Sequence, residues 1–250
     1  YGESNSTWII DLASGVAKPL LTDERGLGQF LTWTPDSQAV LFRTDPALAP
    51  RFSGIWRVNI HDQSYQELDF PRDAFGNPIV YAVLFSPDGE KMAYLLRDMQ
   101  IPESQLWIMN ADGSDKKPLI QGHPHLVLAQ VSWASSGDVL AMANWDDGTH
   151  QAPTAGWIWT VDRDGNVRQR FDAVDLEQGF HLAWSPNGNL AFVAREEGRS
   201  TGFITVADLQ TGRSQSVADR QGRKIANLAW SPDGKRIAFS LNDAGHGEVW

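Results

Sequence analysis

The chain contains no cysteine, which excludes disulfides, thiolate metal sites and a cysteine nucleophile. That absence fits an oxidising compartment and the cytoplasm alike. Basic residues are scarce: 21 Lys and Arg stand against 31 Asp and Glu, for a formal net charge of −10. Such a chain repels phosphate backbones, and no basic run or stripe offsets the deficit, so no nucleic-acid partner is expected. No run of 18 apolar residues occurs, so no membrane span is expected. The sequence starts at Tyr1 with polar residues and shows no charged-then-apolar leader, although a trimmed start would look the same. No segment of useful length carries the hydrophobic period of a helix.

What the chain does have is tryptophan, eleven in 250 residues, and a 42% hydrophobic share that can bury a core. Length alone fits two small domains or one large all-β domain. One phrase recurs five times: LTWTPDSQAVLF (31–42), VLFSPDGEKMAY (83–94), VSWASSGDVLAM (131–142), LAWSPNGNLAF (182–192) and LAWSPDGKRIAF (228–239). Its aromatic anchors, Trp33, Phe85, Trp133, Trp184 and Trp230, are spaced 52, 48, 51 and 46 residues apart. A second phrase follows each: an aromatic, two apolar or neutral residues, then Asp or Asn. Its copies run Trp8 to Asp11, Trp56 to Asn59, Trp107 to Asn110 and Trp159 to Asp162, with a degenerate Thr205 to Asp208 and a last start at Trp250. The two phrases absorb every tryptophan except Trp145 and Trp157.

Each unit reads as four short strands. LAW enters a turn at SPDG, where proline presets φ, Asp suits the next position and Gly accepts positive φ. RIAFSL returns, IWRVNI or QLWIMN is the third strand, and a second hairpin turn such as NADGS or DRDGN leads to a polar fourth. A four-stranded unit repeated at this period predicts a propeller blade. Stacking blades buries their apolar faces and protects their edges. The repeated tryptophan is expected as the buried wedge between neighbours.

The phrase WSPDGKRIAF followed by an aromatic-x-x-Asp segment resembles the TolB-type propeller repeat, and the resemblance runs from Trp8 to Trp250. LTWTPDSQAVLF lacks the turn glycine and VSWASSGDVLAM lacks the proline. WD-repeat propellers match less well, because Gly122-His123 and Gly245-His246 are out of register with a Trp-Asp strand end. The expected fold is therefore all-β, a β-propeller of four-stranded blades from a six-bladed parent with partial blades at both chain ends. The boundaries are a single domain over 1–250, with 1–22 a partial blade, 23–74, 75–122, 123–174 and 175–219 full blades, and 220–250 a partial blade. The resemblance implies an extracytoplasmic setting, periplasmic or cell-surface; no cofactor is expected. Relatives with this repeat include periplasmic TolB, cell-surface proteins and the propeller domains of prolyl-oligopeptidase-like and dipeptidyl-peptidase-like serine peptidases.

Several motifs compete for a functional role. Gly198-Arg199-Ser200-Thr201-Gly202 matches G-x-S-x-G, but a hydrolase needs a strand-to-helix elbow there and no helix pattern follows. His123-Pro124-His125 could seat a metal, but no third ligand stands nearby; with His181 it is expected as polar lining or ligand contact at a channel mouth. Asp162-Arg163-Asp164-Gly165-Asn166 looks like a calcium-loop fragment, but position twelve is Ala173 rather than Glu, so a hairpin turn is expected. No metal is therefore assigned.

The second strands also end in acids: Asp45, Asp98, Asp146, Glu196 and Asp243, with Arg43, Arg97 and Arg195 beside three of them. Read plainly these are loop caps and local ion pairs; read functionally they form a recognition rim. The longest loops lie near 45–55 and 145–156, and the second carries Trp145, Asp146, Asp147 and His150. Loops on a rigid scaffold collect binding residues and tryptophan is a frequent hot spot. The candidate ligand site is therefore Trp145, Asp146, Asp147 and His150 with Arg51, Arg97 and Arg195, and His123, His125 and His181 as channel contacts. The leading expectation is a non-catalytic module binding a protein, peptide or glycan. The alternative is a substrate-gating propeller of a serine peptidase whose catalytic domain lies outside this chain, and a third reading puts an enzyme site in the channel.

Overall fold

The structure, a computed structural model, describes residues 7–21, 28–44, 54–73, 79–97, 104–120, 127–145, 155–175, 182–195, 202–219, 224–243 and 246–249. Among the described residues every regular element is a strand, and no helix is long and apolar enough to cross a membrane. Two compact units are present: Tyr1–Gln100 with Leu106–Lys117, and Ile101–Gln105 with Pro118–Trp250.

In the first unit, β1 (Thr7–Ile10) and β2 (Ala17–Leu21) form an antiparallel pair. Blade I follows as β3 (Gly28–Trp33), β4 (Ala39–Thr44), β5 (Gly54–Asn59) and β6 (Tyr65–Leu68). Blade II is β7 (Val80–Phe85), β8 (Lys91–Arg97), β9 (Ser104–Asn110) and the two-residue β10 (Lys117–Pro118), with β9 straddling the division between units. Both blades are four-stranded sheets whose neighbours are consecutive in sequence.

The second unit holds blade III, made of β11 (Val127–Trp133), β12 (Val139–Trp145), β13 (Ala155–Asp162) and β14 (Val167–Asp175). Blade IV is β15 (Leu182–Trp184), β16 (Asn189–Arg195), β17 (Gly202–Asp208) and β18 (Arg213–Asp219). A three-stranded sheet, β19 (Lys224–Trp230), β20 (Ile237–Asp243) and β21 (His246–Val249), completes it. Blades III and IV are not separate sheets, because the end of β14 pairs Val174 with Ala194 of β16. The pairing falls where the chain leaves the fourth strand of one blade for the first strand of the next.

Packing within each unit follows the pleat of the second strand, whose successive side chains point to opposite faces. Val40 and Phe42 pack with Leu20, Leu21 and Ile9 of the preceding pair, whereas Leu41 packs with Met92, Tyr94 and Met109 of blade II. In the second unit Leu190 and Phe192 meet Ala141 and Ile158 of blade III, and Val193 meets Phe239 and Leu241 of the next sheet. The bulky pair faces backward, and the residue between them faces forward. That residue is alanine at Ala93, Ala141 and Ala191, all fully buried, so neighbouring sheets approach closely.

The expectation that every repeat tryptophan is a buried wedge needs correction. Trp133 is 8% exposed, but Trp33 is 43% exposed, and Trp184 and Trp230 are half-buried. The cause is the partner each anchor requires. Trp184 donates its indole N–H to Ser132 O at 3.1 Å, and Trp230 donates to Ala183 O at 2.9 Å. Each acceptor immediately precedes the anchor tryptophan of the blade before. Trp33 follows the β1–β2 pair, which among the described residues contains no first strand to supply that carbonyl. Burial of an anchor therefore depends on the neighbouring blade's first strand and not on the anchor's own phrase.

The turn between first and second strands is built the same way in most repeats. In blade I, blade II and the last sheet a hydroxyl donates to the Asp two residues on: Thr34 to Asp36, Ser86 to Asp88 and Ser231 to Asp233. The same hydroxyls accept the N–H of Ala39, Lys91 and Arg236. The fourth turn position has positive φ throughout. Gly89, Gly137, Gly188 and Gly234 occupy it at +75, +76, +83 and +68°, but in blade I it is Ser37 at +58°. A left-handed non-glycine residue costs about 1–2 kcal/mol, less the backbone entropy glycine loses on folding. Ser37→Gly is therefore expected to stabilise the protein by roughly 0.5–1 kcal/mol, read as a higher urea midpoint; an unchanged or lower midpoint would show that Ser37 carries no strain.

Blade II holds a second local mismatch. Tyr94 is 0% exposed, sits edge-on to Phe70 and stacks on Trp107, and its hydroxyl has no hydrogen-bond partner among the described residues. Burial, helped by the charge of Asp69, pushes the phenol up to about 12. The equivalent positions elsewhere are Phe42, Met142, Phe192 and Phe239, none of which carries a hydroxyl. Tyr94→Phe removes an orphaned donor without changing shape, so stability should hold or rise by up to about 1 kcal/mol. A loss of stability on denaturant titration would instead reveal a partner for the hydroxyl.

Candidate functional site

The sequence-derived ligand residues cluster where strands enter loops. Arg51, Asp146, Asp147, His150, His123, His125 and His181 lie outside the described residues. Trp145, Arg97 and Arg195 are the last residues of β12, β8 and β16, with their backbones described and their side chains not. In the second unit the ladders gather several of these ends. Trp145 pairs with Val127, Gly156 with Val174, Val174 with Ala194, and Arg195 with Gly202. The residues bounding the 146–154 loop and the end of β16 thus meet at one end of the joined sheet.

Other sequence candidates resolve into structural roles. Arg43, beside Asp45, donates to Val80 O of blade II at 3.0 Å and to Gln29 Oε1 at 2.8 Å, so it ties two blades. Of the G-x-S-x-G segment, 198–201 lie outside the described residues, and its last glycine opens strand β17 rather than a helix. The elbow a hydrolase requires does not follow it. Among the described residues no group of three or more His, Asp or Glu is placed to hold a metal.

The aromatic-x-x-Asp phrase owes its acid to the turn that follows. Asp11 accepts from Ser14 N–H and hydroxyl, Asn59 from His61 and Asp62 N–H, and Asp208 from Gln210 and Thr211 N–H. Asp162 is the most enclosed, 8% exposed. It accepts N–H bonds from Asp164 at 3.0 Å and Asn166 at 2.9 Å and pairs with Arg168 at 2.8 Å. Burial alone would raise its pKa, but the Asn166 side chain and backbone, Asp164 N–H and the Arg168 guanidinium together hold it below the ordinary aspartate value. Such Asx turns replace backbone partners with a carboxylate. They explain the calcium-like spacing without a metal.

One cleft is described that the sequence reading did not single out. It measures about 790 Å³ and lies between the turns of blades III and IV, with Asp138, Arg163, Val139, Trp184, Pro186 and Gln210 among its walls. Ser135 bridges the two blades by donating to Ser185 O and Pro186 O, both at 3.2 Å. Arg163 donates to Gly137 O at 2.7 Å and lies over the Trp133 ring at 5.8 Å. The signal for this cleft was visible as the blade III phrase that breaks the SPDG pattern.

No family model matches the chain. A Tol-Pal system protein TolB from Anaeromyxobacter dehalogenans is 28% identical over 116 residues, covering 45% of this chain and 24% of that protein. The chain thus matches about a quarter of that relative's length. Among solved structures, a putative TolB from Agrobacterium tumefaciens superposes with a TM-score of 0.57 at 16% identity, over 98% of this chain and 83% of that one. An acylaminoacyl peptidase from Pyrococcus horikoshii gives 0.61 at 12% identity, over 98% of this chain and 39% of the peptidase. A prolyl endopeptidase structure gives 0.64 at 13% identity, over 94% of this chain and 36% of that one. At these identities the structures speak to fold, which is an all-β propeller of four-stranded blades.

The turn carboxylates set an acid limit. Asp36 is lowered by its Thr34 hydroxyl bond and the Gln38 N–H, Asp233 by Ser231 and Lys235, and Asp162 as described. A folded-state pKa below the unfolded one gives stability that is complete above about pH 4, the unfolded aspartate value, and lost as pH falls through the folded one. The melting temperature is therefore expected to drop as pH falls below about 4, and Asp162→Asn should shrink that drop, since asparagine already serves at Asn59 and Asn110. An identical acid profile in the variant would remove Asp162 from the cause.

Proposed function

We propose that residues 1–250, which resemble TolB-type propeller proteins in sequence and fold, act as one propeller domain that binds a protein, peptide or glycan without catalysing a reaction. The proposed contact surface is the loop end of the blades, with Trp145, Asp146, Asp147 and His150 joined by Arg195, and Arg51 and Arg97 serving the first unit. The supporting observation is the register that brings the ends of β12, β13, β14 and β16 together around the 146–154 connection. A rigid sheet end carrying a tryptophan outside the repeat suits recognition better than packing. On the same resemblance the compartment is extracytoplasmic, periplasmic or cell-surface, in a bacterium.

A second reading has its own support. The peptidase structures align with nearly all of this chain but little more than a third of their own, as a gating propeller attached to a hydrolase would. In that case the coding frame beyond Trp250 carries an α/β pattern with G-x-S-x-G followed by Asp and His. A stop codon or a further repeat there removes the gating reading.

The binding reading is tested by screening the purified chain on peptide and glycan arrays, then measuring any hit against Trp145→Ala and His150→Ala. An affinity loss of about tenfold or more in Trp145→Ala, with an unchanged melting temperature, is the expected result. Hits that survive both substitutions, or arrays with no hit, reject it.

A further inference from the structure

The turn of blade III differs from its four counterparts at three positions. Where the others begin with Thr34, Ser86, Ser185 and Ser231, blade III has Ala134, which has no hydroxyl to close the turn. The proline is replaced by Ser135, and the acid or amide seen as Asp36, Asp88, Asn187 and Asp233 is replaced by Ser136. An acid reappears two residues later as Asp138, which the Ser136 hydroxyl contacts. In blade I, blade II and the last sheet the carboxylate is held inside the turn by the first residue's hydroxyl. Here it is moved outward, onto the wall of the cleft between blades III and IV.

From that displacement we propose that the cleft is a second binding site, one that receives a Lys or Arg side chain presented by a peptide. Asp138 takes the cation. It is exposed and has no ion pair among the described residues. The two wall arginines are already committed: Arg168 to Asp162 at 2.8 Å, and Arg163 to Gly137 O at 2.7 Å and the Trp133 ring. Val139, Trp184 and Pro186 form an apolar wall suited to the methylene stem of a long basic side chain. Trp184 is fixed in place by its bond to Ser132 O. The remaining walls include Asn187 and Gln210, whose amides can pair with peptide N–H and C=O groups. A cleft of about 790 Å³ falls in the range that takes ligands larger than one side chain, so flanking main chain fits as well. The net charge of −10 favours approach of a basic partner.

The site is independent of the loop-end surface. Asp138 lies just before β12 and Trp145 closes it, so the two sit at opposite ends of one strand, roughly 20 Å apart.

The test is a ¹H–¹⁵N NMR titration of the chain with acetyl-Gly-Gly-Arg-Gly-Gly-amide, the same peptide with Glu in place of Arg, and agmatine. The expected result is perturbation of the Ser136–Asp138 amides and the Trp184 indole by the Arg peptide, none by the Glu peptide, and weaker binding of agmatine. Asp138→Asn should weaken the Arg peptide about fivefold, as loss of one partly exposed ion pair would, with the melting temperature retained, and Trp145→Ala should not change it. Perturbations elsewhere, equal binding of the Glu peptide, or an Asp138→Asn variant that binds normally would overturn the site. Equal binding of agmatine would overturn the peptide as its ligand. Loss of array binding in Trp145→Ala with an intact titration here would separate the two surfaces.

Discussion

Everything in this molecule depends on the two faces of the second strand in each blade. Val40 and Phe42, Met92 and Tyr94, Leu190 and Phe192 all point backward, and the residue between each pair points forward. Each buried side chain of this size contributes about 1.5–3 kcal/mol relative to exposure. A single sheet cannot hide both faces, so each blade is stable only beside another. Stability is thus a sum of neighbour contacts, as in other repeat architectures. The same logic explains the exposure of Ile10 at 58%: its counterparts Val58, Met109 and Val161 are buried, but among the described residues the β1–β2 pair has packing on one face alone within its unit.

Turn hydrogen bonds do a different job. The hydroxyl–carboxylate pair in SPDG and the Asx turn after each third strand involve residues at most five apart. They fix hairpin register locally, before any blade meets another. Consecutive turns then touch. A Cβ at Gly89 would lie 3.1 Å from Pro35, and one at Gly234 would lie 2.7 Å from Asn187. One end of the blades is therefore held by short-range bonds and by proline and asparagine side chains lying close to the next turn's glycine, while the other end is given over to longer connections.

This division governs what could be read from the sequence. The strands, hairpins and repeat period were legible because local pattern determines them: alternation, SPDG, and an acid three residues after an aromatic. The role of the tryptophans was only half legible. Their recurrence signalled a repeat, but the depth of each depends on a carbonyl 47 or 52 residues earlier, which no local phrase encodes. Arg43 read as a rim residue because its partner, Val80 O, is 37 residues away. The joining of blades III and IV rests on a single pair, Val174 with Ala194, and has no sequence signature at all.

The repeat also sharpens the reading of site residues. Solved propellers share this fold at 12–16% identity, and alternation with turn chemistry suffices to form a blade. A residue that fits the repeat is thereby accounted for by folding: Asp162 belongs to its turn and Trp184 to its neighbour's carbonyl. A residue that breaks the repeat has no such account. Trp145 falls outside both phrases, and Ala134, Ser135 and Ser136 abandon a turn that works in four other places. A turn that gives up its internal hydroxyl loses a bond of about 1 kcal/mol. The displaced carboxylate instead faces a cleft, and recognition is the role in which an outward charge compensates for a weaker turn.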